Sequence, residues 1–247
     1  MAKIRLFIDH PLAPGQPVPL DAAQAHYLSG VMRQKPGDVV SVFNGRDGEW
    51  SARIEQLAKR GGSLLAGARS APQQDPPDLW LLFAPIKKAR TDFIVEKAAE
   101  LGCARILPVQ TEFTNSERIR QDRLQAHAVE AAEQCGGTFV PQVADLAPLP
   151  RLLAGWDPAR RILWADESLA GPAETLAGLP AGPWAILIGP EGGFSPAERA
   201  KLSDLPFVTR LSLGPRILRA DTAAVAAIAL WQAALGDWRG GGQQRIA

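Results

Sequence analysis

The sequence is short of thiols, of long apolar runs and of net charge, and each shortage removes a class of protein. Its 247 residues hold two cysteines. Cys103 and Cys135 both sit in apolar surroundings without metal-ligand spacing, so they are expected as buried free thiols, not as a disulfide or a zinc site. No apolar run approaches the ~20 residues of a membrane span, and Met1-Ala2-Lys3-Ile4-Arg5 is not followed by a signal-peptide core, which points to the cytoplasm. Lysine and arginine total 27 against 26 aspartates and glutamates, so the chain as a whole is no polycation. Residues 1–71 nevertheless carry 9 basic against 6 acidic side chains, +3, and residues 72–247 carry 18 against 20, −2. That excess permits RNA contact through the amino-terminal part without requiring it. No GxGxxG follows the first strand of the later part, which leaves a nicotinamide-dependent oxidoreductase unsupported.

What remains is an ordinary globular composition, 46% hydrophobic and 21% charged, long enough for one large or two smaller domains. Residues 4–8, 38–43, 48–54 and 63–66 read as short strands broken by turns such as Asn44-Gly45 and Asp47-Gly48, with one helical segment from about Ala22 to Met32; a small β-barrel is the natural outcome. His26 reads as a partly buried structural histidine. The proline-rich stretch Ala71-Pro72-Gln73-Gln74-Asp75-Pro76-Pro77-Asp78 reads as a stiff linker, giving domains 1–71 and 72–247. Beyond it, apolar strands (79–84, 105–109, 161–165, 184–188, 207–213) alternate with helices from about Thr91 to Leu101 and Arg118 to Cys135. That alternation means an α/β domain with a mostly parallel sheet covered on both faces. The last helix, Thr222 to about Leu235, is apolar almost all round and must be buried in the core or against another subunit; the tail Gly240-Gly241-Gly242-Gln243-Gln244 is expected to be flexible.

Two stretches organise this later domain. Trp184-Ala185-Ile186-Leu187-Ile188-Gly189-Pro190-Glu191-Gly192-Gly193-Phe194-Ser195-Pro196 runs from a strand through a glycine turn into a helix start, where Ser195 caps, Pro196 suits the first position and Glu198 closes a capping box. Phe207 to Ala223 repeats the plan through Leu213-Gly214-Pro215-Arg216-Ile217-Leu218-Arg219. Turns at the carboxyl ends of parallel strands make a small-molecule site, although either turn alone is equally readable as ordinary strand-to-helix punctuation.

Taken together, these two stretches resemble the paired motifs of the bacterial small-subunit rRNA uridine N3-methyltransferases, the RsmE-type branch of the SPOUT superfamily. His26 to Arg33 with Gly37-Asp38, Lys97 with Glu100-Leu101-Gly102, and Glu130-Ala131-Ala132-Glu133-Gln134 are similar to further motifs of that family, in order, over nearly the whole chain. The resemblance implies a PUA-like RNA-binding barrel, then a methyltransferase domain with a deep trefoil knot that the residues themselves do not foretell. It also implies a homodimer with the site near its interface and 16S rRNA as substrate, naked or in the assembled small subunit, with no membrane and no metal involved.

The donor implied is S-adenosylmethionine, held mostly by backbone groups and aliphatic walls. The residues placed for it are Leu163, Trp164, Ile188, Gly189, Gly192, Leu211, Ser212, Leu213, Gly214, Ile217 and Leu218. Arg219 is the candidate active-site cation, or else an ion-pair partner of Asp221 or Glu191. Glu191 is a base, a sulfonium-facing carboxylate, or a carboxylate bonded to turn amides. Arg5, Arg33, Lys35 and Arg46, near strand ends or turns, are the candidate RNA contacts, with a solvated surface as the plain alternative. Phe113 and Gly137 stand where the family often has arginine, which touches the detail of RNA docking. A ribose 2′-O-methyltransferase and an RNA-binding protein that has lost turnover are the rival readings; the paired turns speak against the first and their intactness against the second.

Overall fold

The computed structural model describes residues 4–115, 118–169, 176 and 178–239. They fall into two compact units, one built on the chain up to Asp75 together with Ala132–Val140, the other on Pro76–Ala131 and the chain from Pro141 onward.

In the first unit β1 (Arg5–Phe7), β2 (Pro17–Leu20), β3 (Val39–Phe43), β4 (Glu49–Ala58) and β5 (Gly61–Ala71) form one sheet in the order β1-β3-β4-β5-β2. The β1–β3 pair is parallel and the other pairs are antiparallel. Val18, Val42, Ile54 and Leu64 meet in its core. β2 is absent from the strands expected on sequence, and it carries two prolines, Pro17 and Pro19. The structure puts it at the sheet edge with both prolines outward and Val18 and Leu20 inward, the one kind of strand that tolerates missing N–H donors. The helical segment is α1 (Ala22–His26), capped by Asp21 with Gln24, continuing into a π-turn, Tyr27–Val31. It covers the core with Ala25 and Leu28, while His26 is exposed, not partly buried.

Arg5 also departs from expectation. It is 9% exposed, with Nε 2.7 Å from Glu49 Oε2 and its terminal nitrogens donating to the carbonyls of Ala132 (2.6 Å), Glu133 (3.0 Å) and Gly137 (2.6 Å). The guanidinium also lies 4.6 Å from the centre of the Phe43 ring. Its donors are satisfied within the unit, so it is a structural arginine and no surface phosphate contact. Cys135 is half-buried rather than buried, unlike Cys103.

In the second unit the elements are β6 (Leu79–Phe83), α2 (Lys88–Glu100), β7 (Arg105–Gln110), α3 (Gln121–Cys135, its last turn counted in the first unit), β8 (Gln142–Val143), β9 (Ala147–Pro148), α4 (Leu149–Ala154), β10 (Arg161–Ala165), β11 (Trp184–Ile188), α5 (Pro196–Ser203), β12 (Val208–Leu211), α6 (Ala220–Ala234) and a short 3-10 turn, Asp237–Arg239. The strand order is β12-β10-β11-β6-β7-β8, with β9 beside the end of β7, and every pairing is parallel. β8, β9 and α4 are too short to show a period and were not anticipated. Every residue of β11 is buried, as an unbroken apolar strand covered on both faces requires; each large side chain there contributes about 2 kcal/mol by leaving water. Because the strands are parallel, the segments following β10, β11 and β12 emerge at the same edge.

α6 buries Ala224, Ala227, Ile228 and Trp231 but leaves Val225, Ala226 and Ala229 half-covered and Leu230 exposed. The chain by itself therefore covers only one side of this apolar helix. The glycine-rich tail at 240–244 lies outside the described residues. Among the described residues no helix is long and apolar enough to cross a membrane.

Replacing Arg5 with Met should lower stability to urea by about 3–5 kcal/mol, because it takes the buried guanidinium away from the Glu49 carboxylate and from three main-chain carbonyls. Arg46→Ala, at an exposed site, should change it by under about 0.5 kcal/mol. Equal midpoints for the two variants would show that the buried pair does not hold this unit together.

Candidate functional site

The turn after β11 is built as its residues suggest. Gly193 N–H donates to the Pro190 carbonyl at 2.9 Å, closing a bend in which Gly193 takes φ +70°, and a β-carbon there would meet Glu167 Oε1 at 2.5 Å. A β-carbon at Gly189 would stand 2.7 Å from the Phe194 ring, so the backbone passes flat over that side chain. Ser195 then caps α5: its Oγ accepts from Glu198 N–H at 3.3 Å, and Glu198 Oε2 accepts from Ser195 N–H at 3.0 Å. Glu198 Oε1 also accepts from Glu112 N–H at 2.9 Å, tying the loop after β7 to the same helix start. Phe194 is buried edge-on against Trp164, ring centres 5.6 Å apart.

The turn after β12 leads from Ser212 to the start of α6. Ser212 Oγ donates to the Leu169 carbonyl at 3.2 Å and accepts from Gly214 N–H at 3.3 Å, so it joins this turn to the segment after β10. That segment supplies a third wall. Between the three lies a cavity of about 340 Å³, within the range of small-molecule sites.

Six of the anticipated donor-site residues, Ile188, Gly189, Leu213, Gly214, Ile217 and Leu218, line this cavity, and Glu191 and Arg219 lie on its wall. Leu163, Trp164, Gly192, Leu211 and Ser212 do not. Leu163, Trp164 and Leu211 are in the sheet interior; Ser212 is buried, bonding wall to wall; Gly192 faces the β-carbon of Phe113. The strand of Leu163 and Trp164 reaches the cavity one residue later, at Ala165. Gly193, expected with Gly189 and Gly192 to allow close ligand approach, also lines the cavity, whereas sequence reasoning missed the segment beyond Ala165 (Asp166, Glu167 and Leu169), together with Arg216. The signal was present: two carboxylates directly after an apolar strand, level with the two turns.

Asp166 is the electrostatic centre of these walls. Its side chain is fully buried and bonds Arg199 of α5 at 2.6 Å and Arg210 of β12 at 2.5 Å. Ser168 adds its backbone N–H at 3.0 Å and its hydroxyl at 2.9 Å. Burial opposes ionisation, but the Ser168 N–H and the two guanidiniums outweigh it and hold the carboxyl below its ordinary value. Arg199 also reaches Glu167 at 2.8 Å. Asp221 is paired with Arg90 of α2, and among the described residues neither Arg219 nor Glu191, both exposed, has an ion-pair partner.

In the first unit Arg33, Lys35 and Arg46 are exposed. Arg33 takes φ +55°, a left-handed backbone that costs about 1 kcal/mol or more in a residue other than glycine. Among the described residues no group of three or more His, Cys, Asp or Glu is placed to hold a metal ion.

Residues 73–232 match the profile of a family described as an RNA methyltransferase domain, and residues 20–64 that of an RNA methyltransferase PUA domain. Proteins called ribosomal RNA small subunit methyltransferase E are similar over most of the chain. The one from Synechocystis is 32% identical over 86% of this chain and 71% of its own, and that from Rickettsia conorii 29% identical over 91% and 93%. Among solved structures, Lpg2936 from Legionella pneumophila, in complex with the cofactor SAM, aligns with TM-score 0.86 at 29% identity, covering 96% of this chain and all of that one. A ribosomal RNA small subunit methyltransferase E from Neisseria gonorrhoeae, bound to S-adenosyl methionine, aligns with TM-score 0.85 at 26% identity, covering 96% and 99%.

Because the folded-state carboxyl of Asp166 is depressed, its contribution to stability is complete above the ordinary value of 3.8 and is lost as the pH falls through the folded value. Asp166→Asn should therefore cost about 2 kcal/mol in urea denaturation at pH 7, with the gap to the parent protein closing only below pH 3.8. A gap that closed on raising the pH instead would contradict this assignment.

Proposed function

The chain belongs to the RNA methyltransferase family, and on that footing we propose that it methylates N3 of a uridine in small-subunit (16S) ribosomal RNA with S-adenosylmethionine as donor. The observation that carries this reading is the cavity walled by the segments after β10, β11 and β12, with the carboxylate of Glu191 and the guanidinium of Arg219, neither in an ion pair among the described residues, on two of its walls. The donor-bound relatives support the choice of donor.

The residues fit that donor. Ile188, Leu213, Ile217 and Leu218 offer aliphatic packing for an adenine, and the backbone groups of Gly189 and Gly214 offer its edge donors and acceptors. Trp164, Leu163 and Leu211 support this wall from beneath, Ser212 fixes one turn to the next segment, and Gly192 sets the loop carrying Glu191. When bound, the donor supplies an electrophilic sulfonium methyl. The chain must present an unstacked uridine in line with it. As the N3–C bond forms and the S–C bond breaks, the N3 proton departs to a base and S-adenosylhomocysteine is left. Arg219 stabilises the negative charge that deprotonation puts on the uracil carbonyls. Glu191 takes the proton or faces the sulfonium. Positioning accounts for much of the rate.

The rest of the reading follows the same family. Residues 1–71 form the RNA-binding barrel, with Arg33, Lys35 and Arg46 on phosphates, and residues 72–247 the methyltransferase domain of SPOUT type, its carboxyl-terminal part threaded as a trefoil knot. A second copy covers the open side of α6, where Val225, Ala226, Ala229 and Leu230 await a partner. The substrate is the assembled small subunit in the cytoplasm, and no metal takes part.

Nucleoside mass spectrometry of small-subunit rRNA should show 3-methyluridine lost on deletion of the gene and restored by purified protein with donor; an unchanged profile would overturn the N3 assignment. Arg219→Ala should cut turnover about 100-fold or more with donor affinity nearly unchanged, and full turnover would remove Arg219 from the chemistry. Leu230→Glu should shift the protein to monomer in analytical ultracentrifugation, whereas an unaltered dimer would place the interface elsewhere.

A further inference from the structure

At the amino-terminal edge of the parallel sheet, the end away from the candidate site, a second cavity of about 350 Å³ opens beside the starts of β6 and β7. Trp80 and Arg105 are register partners on those strands, so their side chains share a face, and the Arg105 guanidinium lies 5.0 Å from the indole centre. Arg160 stacks on Trp80 at 3.7 Å and is ion-paired, donating to the carbonyls of Asp78 and Trp184 at 3.2 Å and to the Asp78 carboxylate at 2.8 Å. Trp156 meets Trp80 edge to face at 5.9 Å, and its Nε1 donates to the Arg160 carbonyl at 2.8 Å, which fixes the plane of its ring.

Arg105 is different. Among the described residues it has no carboxylate partner, and its Nε is shut off from solvent with no acceptor. A guanidinium held in place by an indole and facing a cavity without an acceptor is poised for an anion. Leu107 and Leu152 add an apolar lining, and exposed Asp145 and Asp157 stand on the wall. One oxygen of Asp157 caps the Ala159 N–H at 2.9 Å.

We propose that this cavity binds one nucleotide of an RNA strand, its phosphodiester on Arg105 and its base beside Trp156, with an exocyclic amine directed to Asp145 and Asp157. The charge pattern selects this chemistry. Among the described residues the wall carries one guanidinium without a carboxylate partner, Arg105, which matches the single charge of a phosphodiester; the two carboxylates repel a dianion such as a free nucleoside monophosphate, and acceptors beside an indole suit a base that carries an amino group. Adenine, cytosine and guanine have that group; uracil does not. If the uridine N3 reading above holds, this nucleotide is other than the methylated one, on the opposite edge of the sheet from the candidate donor cavity. The proposal does not depend on methyl transfer.

The test is fluorescence anisotropy on the full chain with a labelled RNA tetranucleotide of A, C and G, in the presence of excess S-adenosylhomocysteine whose own binding is measured separately by calorimetry. Arg105→Gln should weaken tetranucleotide binding about tenfold and reduce its salt dependence by roughly one phosphate contact, with S-adenosylhomocysteine affinity unchanged. The double variant Asp145→Asn with Asp157→Asn, at exposed positions that leave folding intact, should raise the affinity for the monophosphates AMP and GMP and erase discrimination against a tetranucleotide of uridine. Tetranucleotide binding unchanged by both variants, or free monophosphates bound more tightly than the tetranucleotide by the parent protein, would overturn the proposal. Loss of S-adenosylhomocysteine binding in the parent would count against the transferase reading and leave the anisotropy result standing.

Discussion

A single buried carboxylate governs the candidate site. Asp166 follows directly on β10, Arg210 belongs to β12 and Arg199 to the helix that follows β11, so three segments distant in sequence must converge on one side chain. A buried carboxylate without its full set of donors is strongly disfavoured, and the walls are therefore held together or not at all. Trp164 works in the same assembly from below, its ring 5.2 Å from the Arg199 guanidinium and 5.6 Å from that of Arg210. Glycine turns form the cavity lining, and charge fixes where those turns stand.

This division explains what could be read in the sequence and what could not. The turn after β11 was legible because its causes are local: an apolar strand, glycines, then Ser195, Pro196 and Glu198 within four residues of one another. The strand-to-helix order of the second unit was legible from the same alternation. The third wall was legible only in part. The strand end Leu163-Trp164-Ala165 was expected to supply it, but of those three only Ala165 lines the cavity, with Asp166 after it, because periodicity locates a strand but not the residue at which it leaves the sheet. β2 was hidden by Pro17 and Pro19, whose acceptability depends on lying at an edge, a property of the finished sheet.

The arginines show the limit most sharply. Arg5, Arg160 and Arg199 bond acceptors between 24 and 132 positions away in sequence, whereas Arg33, Arg46 and Arg219 stand exposed. Nothing in the neighbouring residues separates the two groups. Arg5 looked like a surface cation beside a strand end because its three carbonyl partners lie on a helix end and loop that local reasoning could not bring near.

Those carbonyls impose a schedule on the nascent chain. Arg5 leaves the ribosome well before its partners at Ala132 and Gly137, which lie 127 and 132 residues later. At ~5–20 residues per second of synthesis, the strands of the first unit spend several seconds with a charged side chain incompletely satisfied while α2, β7 and α3 are being made. The amino-terminal unit thus completes itself only after much of the second has emerged, and a chain cut at the proline-rich linker retains the five strands without the acceptors that neutralise their innermost cation.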